Sequence, residues 1–521
     1  MSTQEAPQLG ERNLSTIHAI AQALAIGPMF SVALVLSGVS NPGTGAGAKA
    51  ALAALIAGIG VLAIGVALTL YAKRYAGAGA VYEYLTHGAH PSIGIFAAGV
   101  YFLGSLFLGG GGIYLGLGIL TNGFFNAHLS TDLPWWVGGL VILAVVYALN
   151  YIGVRVAVGA MLTLAALAFI PMLILAIAIL AKGGQHGIDW GVFNPGGWSN
   201  LTSTKGGGVL AGVLLGVLLF VGFEAAASLG EESSEPEKSI PRAVLGTIIV
   251  SALFFVLMAF SLTQGFGVDE VNQGAWFADP GALGTMANQY VGSWLATILD
   301  LVVIFDATAL ALALMVTVGR GYYALARDGL LPKAFTRLTA RGVPWVGNLL
   351  PVLATFALFL YVPAGNLVTR FVMPDPAGGS GMVPIFPNNA FATFILSATV
   401  GSFTVQVVYL LLSIFALRLV FQETSGIWWK LPAVIIAIAT PLLGFYGALN
   451  PEPHDYSNVN YLGAAWTGVI LAISLVWFVI CQVTRPSNVA NAAAHAAQHR
   501  GVPPLDENVD FSAAPSDKIV P

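Results

Sequence analysis

The chain has 521 residues, 57% of them hydrophobic and only 8% charged, with a formal net charge of −4 and one cysteine. A soluble domain carries roughly 25% Asp, Glu, Lys and Arg, so this composition excludes a soluble enzyme and a disordered scaffold. The lone Cys481 excludes a disulfide framework or cysteine-based metal cluster, and the lack of basic excess leaves no field for nucleic acid.

The chain therefore reads as an integral membrane protein whose surroundings are a lipid bilayer, and no cofactor is expected. A bilayer core of about 30 Å is spanned by about 20 apolar residues in a helix. Broken at Gly, Pro, Asn and charge clusters, the apolar stretches predict twelve helices in chain order. They lie near 16–38, 48–71, 92–121, 134–152, 155–181, 207–229, 240–266, 293–320, 343–361, 388–417, 430–449 and 460–482. The segments are continuously apolar rather than alternating, which argues against strands and a barrel. Residues 1–13 are polar and lack a basic n-region, so no cleaved signal peptide is expected. With a cytoplasmic N-terminus, sixteen Lys and Arg fall inside and four, Lys49, Lys182, Lys205 and Arg370, fall outside. This positive-inside asymmetry puts both termini in the cytoplasm. The Pro/Gly-rich stretch 362–388 reads as an external lid or connector. The tail reads as disordered; its His495 and His499 have no third ligand, so no metal is expected.

Two of the helices are interrupted. The first contains Ile26-Gly27-Pro28-Met29-Phe30-Ser31, and the sixth Leu219-Phe220-Val221-Gly222-Phe223-Glu224-Ala225. Irregular backbone at membrane depth is tolerated only where it faces protein or a cavity. A matched pair of such helices points to a transporter's midplane site, and their separation by five helices predicts a five-plus-five inverted repeat. The third helix carries Gly109-Gly110-Gly111-Gly112 without the lysine or hydroxyl of a P-loop, which reads as close packing or room for a ligand. Glu224, Asp300 and Asp306 lie inside apolar helices, where each costs ~2.5–3.5 kcal/mol at a helix centre. They are functional candidates, the alternative being a structural hydrogen bond. Asp306 precedes Arg320 by fourteen residues, roughly 21 Å of helix, which puts it deep; Asp300 lies nearer the outer end.

The stretch Phe220-Val221-Gly222-Phe223-Glu224, followed by Leu229-Gly230-Glu231-Glu232, Pro236, Lys238 and Ile240-Pro241-Arg242, resembles the sixth-helix signature of amino acid–polyamine–organocation permeases. Residues 320–332, from Arg320-Gly321-Tyr322-Tyr323 to Leu331-Pro332, are similar to that family's eighth-helix exit. Residues 71–84, with Gly77-Ala78-Gly79-Ala80-Val81-Tyr82, are similar to its second-to-third loop. The resemblance covers about 15–480 and implies an all-α fold of the leucine-transporter type. In that fold 1–15 is a cytoplasmic segment, 16–181 holds helices 1–5 and 182–206 is an extracellular loop. The second inverted repeat, helices 6–10, occupies 207–417, two peripheral helices occupy 418–483, and 484–521 is the tail.

The resemblance further implies a permease rather than an enzyme. It would move an amino acid or related amine across the plasma membrane by alternating access, proton-coupled or exchanging. Carried over residue by residue, the substrate pocket would comprise Gly27, Pro28, Met29, Phe30, Ser31, Tyr101, Gly104, Ser105, Phe220, Val221, Gly222, Phe223 and Asp306. Ion coupling, to a proton or to sodium, would fall to Glu224, Asp306 and Thr308. The chain departs from the family pattern twice. Many members hold the substrate carboxylate on the N–H groups of a Gly-Ser-Gly-like break, whereas here the break is Gly27-Pro28-Met29 and proline has no N–H. An amine or polyamine without a carboxylate is therefore the second substrate reading. Several proton-coupled relatives carry a lysine midway along helix five, and 156–180 has no ionisable side chain. A transport-inactive nutrient sensor or partner subunit is the alternative of another class.

Overall fold

Backbone that meets lipid must pair its N–H and C=O groups within its own helix. The chain is accordingly helical through most of what its computed structural model describes: residues 19, 27–75, 79–152, 169–203, 208–229, 233, 235–374, 382–423 and 426–492. Among the described residues twelve apolar helices follow one another. They are α1 Pro28–Val39, α2 Gly47–Ala72, α3 Pro91–Leu129, α4 Trp135–Ile152, α5 Phe169–Ala181 and α6 Val209–Leu229, then α7 Pro236–Phe266, α8 Ser293–Arg327, α9 Leu349–Gly365, α10 Asn389–Phe421, α11 Ile427–Leu449 and α12 Val459–Thr484. Among the described residues nine of these are long and apolar enough to cross a membrane, while α1, α5 and α9 are shorter. Short helices, including Val81–Gly88 and Ala282–Tyr290, lie in the connections.

The central helix is α2, packed by α6, α7, α10 and α11. Lipid tails are as apolar as leucine, so membrane helices associate through close approach of small residues. A Cβ at Gly60 would fall 2.3 Å from Thr440 on α11, one at Gly58 3.0 Å from Ala252 on α7, and one at Gly216 of α6 2.9 Å from Ala57. Much of the glycine content is used in this way. Around this core α1 lies against α6 and α8, and α3 against α8, α9, α10 and α12. The outward faces are apolar too: Leu253, Leu360 and Val483 are 71%, 73% and 74% exposed, which suits lipid rather than water.

Several elements differ from their sequence-based bounds. The third, eighth and tenth helices run on to Leu129, Arg327 and Phe421, because a helix with polar residues can continue into water where an apolar window stops. In the 362–388 connection, Val372–Pro374 pairs antiparallel with Met382–Pro384, a small hairpin that the expectation of no strands missed. The tail begins with a helix, Pro486–Ala490, rather than disorder. Pro486 opens it, and Arg485 Nη1 and Asn488 Nδ2 donate to the Gly329 carbonyl beyond α8 at 2.6 and 3.1 Å. Much of the expected first helix, including Ile26, lies outside the described residues, as do Arg12, Gly77, Lys205, 153–168 of the expected fifth helix, Gly230 to Glu232, and His495 and His499.

Candidate functional site

The break in α1 can be followed donor by donor. Gly27 stands in the left-handed region at φ +59°, and Pro28 opens the helix without an N–H. Ser31 N donates to the Gly27 carbonyl at 2.8 Å and starts the helical ladder. This leaves the N–H groups of Met29 and Phe30, two of the orphan donors of a helix N-terminus. Both donate to Oδ2 of Asp306 on α8, each at 2.9 Å. Asp306 is 1% exposed, and its Oδ1 has no hydrogen-bond partner among the described residues. Leu310, one turn further along α8, packs against the same break: a Cβ at Gly27 would fall 2.7 Å from its Cδ2.

The break in α6 is of the same kind. Helical bonding runs to Val221, whose N–H donates to the Leu218 carbonyl at 3.1 Å. Gly222 then swings to φ +118° and a 3₁₀ stretch, Phe223–Leu229, follows. Gly222 N donates not to a carbonyl but to Glu224 Oε2 at 2.9 Å. The other oxygen of Glu224 accepts from the Tyr101 hydroxyl of α3 at 2.9 Å. The ring of Tyr409 of α10 lies 5.6 Å from that of Phe223. Each interrupted helix is thus satisfied by a buried carboxylate, one from α8 and one from the chain just beyond the break.

Between the breaks lies a cavity of about 20 Å³, room for about one water. Its wall includes Phe30, Ser31, Val221, Leu108, Leu310 and Phe394. Phe30 meets Phe394 edge to face at 5.8 Å, and Phe391 stacks on Phe394 at 6.2 Å. Of the sequence candidates, Phe30, Ser31 and Val221 line this cavity, while Met29, Asp306, Tyr101, Gly222 and Glu224 form the hydrogen bonds that satisfy the two breaks. Others face elsewhere. Phe220 packs edge-on against Phe255 of α7, and Gly104 abuts Thr404 of α10. Ser105 is buried at the start of the π-helical stretch of α3. The Thr308 hydroxyl donates to the Ile304 carbonyl of its own helix at 2.7 Å. Asp300, near the start of α8, accepts from His128 Nε2 at 2.8 Å, away from the breaks. Among the described residues no three His, Cys, Asp or Glu come together as a metal site. The leucines of the wall, Phe394 and Tyr409 were not foreseen, since an apolar residue on a membrane helix has the same signature whether it faces lipid or a cavity.

A family model described as amino acid permease matches residues 19–473, most of the chain. The chain is 26% identical over 264 residues to a D-serine/D-alanine/glycine transporter of Escherichia coli (strain K12), covering 48% of this chain and 52% of that protein. It is 29% identical over 247 residues to the lysine-specific permease LysP of Lactococcus lactis subsp. cremoris (strain MG1363), covering 44% and 47%. It is 25% identical over 323 residues to the branched-chain amino acid permease BcaP of Bacillus subtilis (strain 168), covering 56% and 64%. The chain thus spans less than two thirds of the length of each of these relatives.

Proposed function

The chain belongs to the amino acid permease family, and from that premise we propose that it is a secondary transporter carrying an amino acid across the plasma membrane by alternating access. The substrate sits between the interrupted stretches of α1 and α6. The observation that carries this reading is the pair of opposed breaks, each with a positive-φ glycine and a buried carboxylate, bordering one cavity. Amino acids are common to the names of the three relatives, which supports that substrate class.

The remaining parts of the reading rest on this arrangement. Helices α1–α5 and α6–α10 form the two inverted repeats, α11 and α12 are peripheral, and both termini are cytoplasmic, as the Lys and Arg distribution supports. The water-sized cavity corresponds to a closed intermediate that must widen before substrate enters. On the inner side, Tyr82 donates to Asp328 at 2.6 Å and Arg327 pairs with Glu83 at 3.5 Å, contacts that opening to the cytoplasm would release. A proton is the coupling ion and Glu224, buried between the Tyr101 hydroxyl and the Gly222 N–H, its carrier. Reconstitution in proteoliposomes with labelled amino acids tests the proposal. Time-dependent, saturable accumulation is expected; ligand binding without flux in either direction would make the chain a sensor instead.

A further inference from the structure

A helix that opens at membrane depth turns its first N–H groups toward an anion, and a free amino acid could offer its carboxylate there. In this chain that place is already filled: Met29 N and Phe30 N both donate to Asp306 Oδ2. The other oxygen, Oδ1, is buried and has no donor among the described residues, a costly state for a carboxylate. Glu224, the second carboxylate of the site, has both oxygens engaged, by Tyr101 and by Gly222 N. The cavity wall offers no Lys, Arg or His to receive a substrate carboxylate; its side chains are apolar apart from Ser31.

We propose that Asp306 Oδ1 receives the substrate's ammonium group while Oδ2 stays on α1, so that the protein's own carboxylate stands where a substrate's would. The ligand class is then a primary amine with an apolar side chain, and its α-carboxylate is dispensable. This deepens the transport reading and rests on it. The side chain would extend along Leu310, Leu314, Leu108 and Val221, which line the space that must widen.

The test uses the purified full-length chain and three probes: leucine, its decarboxylated analogue isoamylamine, and its deaminated analogue 4-methylpentanoate. In a thermal-shift titration isoamylamine should act within about tenfold of the leucine concentration. The acid should be weaker by at least about thirtyfold, as expected when a buried charge pair loses one partner. Stabilisation by 4-methylpentanoate but not by isoamylamine overturns the proposal. Asp306→Asn keeps an acceptor for Met29 and Phe30 and should lose isoamylamine binding; undiminished binding in that variant also overturns it. If Asp306→Asn does not fold, the analogue series on the unmodified chain decides. Failure of leucine and isoamylamine alike, with uptake of another amino acid intact, sinks this inference and spares the transport reading. Isoamylamine binding without uptake of any amino acid or amine does the reverse.

Discussion

Glu224 is where two elements meet on one side chain: Oε1 accepts from Tyr101 on α3 and Oε2 from the Gly222 N–H. In the proposed mechanism, loading or removing a proton there would change what Tyr101 and the opened backbone of α6 can bond to, which would link ion and substrate at one residue. Glu224→Gln keeps a carbonyl oxygen for Gly222 and an amide for Tyr101, so the fold should persist. Uptake by the variant should lose most of the pH dependence seen in the parent, measured as initial rates in proteoliposomes across an acid-to-neutral series. A variant with the parent's profile would move the coupling elsewhere. At this scale the breaks were legible, because Gly27-Pro28 and Gly222 beside a carboxylate contradict the apolar helices that contain them. The partner of Asp306 was not: its bonds to Met29 and Phe30 close over 277 and 276 residues, and only the fold brings α8 to that end of α1.

The glycine run in α3 shows what an element's sequence reveals and withholds. Gly109-Gly110-Gly111-Gly112 lies in a π-helical stretch, Leu106–Gly112, a form that occurs mostly as short insertions in α-helices. Added Cβ atoms along the run would meet three helices: Leu314 of α8 at 2.9 Å from Gly109, Ala354 and Leu358 of α9 from Gly110 and Gly111, and Ser397 of α10 at 2.7 Å from Gly112. The run's unusual packing was legible, but its three neighbours were not. The wide turns are secured by side-chain donors from those neighbours, Thr355 to the Gly110 carbonyl and Ser397 to that of Phe107. Thr355→Val preserves shape and removes one donor. It should lower stability by about 0.6–1.7 kcal/mol, the measured scale for hydrogen bonds between membrane helices. Thermal unfolding in detergent checks this, with Thr355→Ser as the restoring variant.

The whole molecule is tied at one end by a small charge cluster. Glu423, after α10, bonds Arg74 beyond α2 at 2.8 Å and Lys430 on α11 at 2.7 Å. Partial burial pushes its carboxyl up, but the Lys430 hydrogen bond and the Arg74, Lys430 and Lys73 charges outweigh this and hold it below the usual carboxylate range. A carboxyl lowered by folding stabilises the protein above its unfolded value, about 4.3 for Glu. That contribution is lost as pH falls through the lower folded value. At neutral pH the chain should exceed Glu423→Gln in stability by at most about 1 kcal/mol, since the cluster is partly solvated. The gap should close on acidification below the ordinary Glu range, as read from melting temperature against pH.

The central claim, that the two breaks form the transport site, is tested most directly by uptake of labelled amino acids in proteoliposomes containing the parent chain, Gly222→Leu or Gly468→Leu. Gly222 stands at φ +118°, where an L side chain is strained, whereas a Cβ at Gly468 on the outer face of α12 meets nothing within 4 Å. If the two breaks form the transport site, the parent and Gly468→Leu accumulate label while Gly222→Leu, inserted to the same level, does not. Transport by Gly222→Leu at the parent's rate would contradict it.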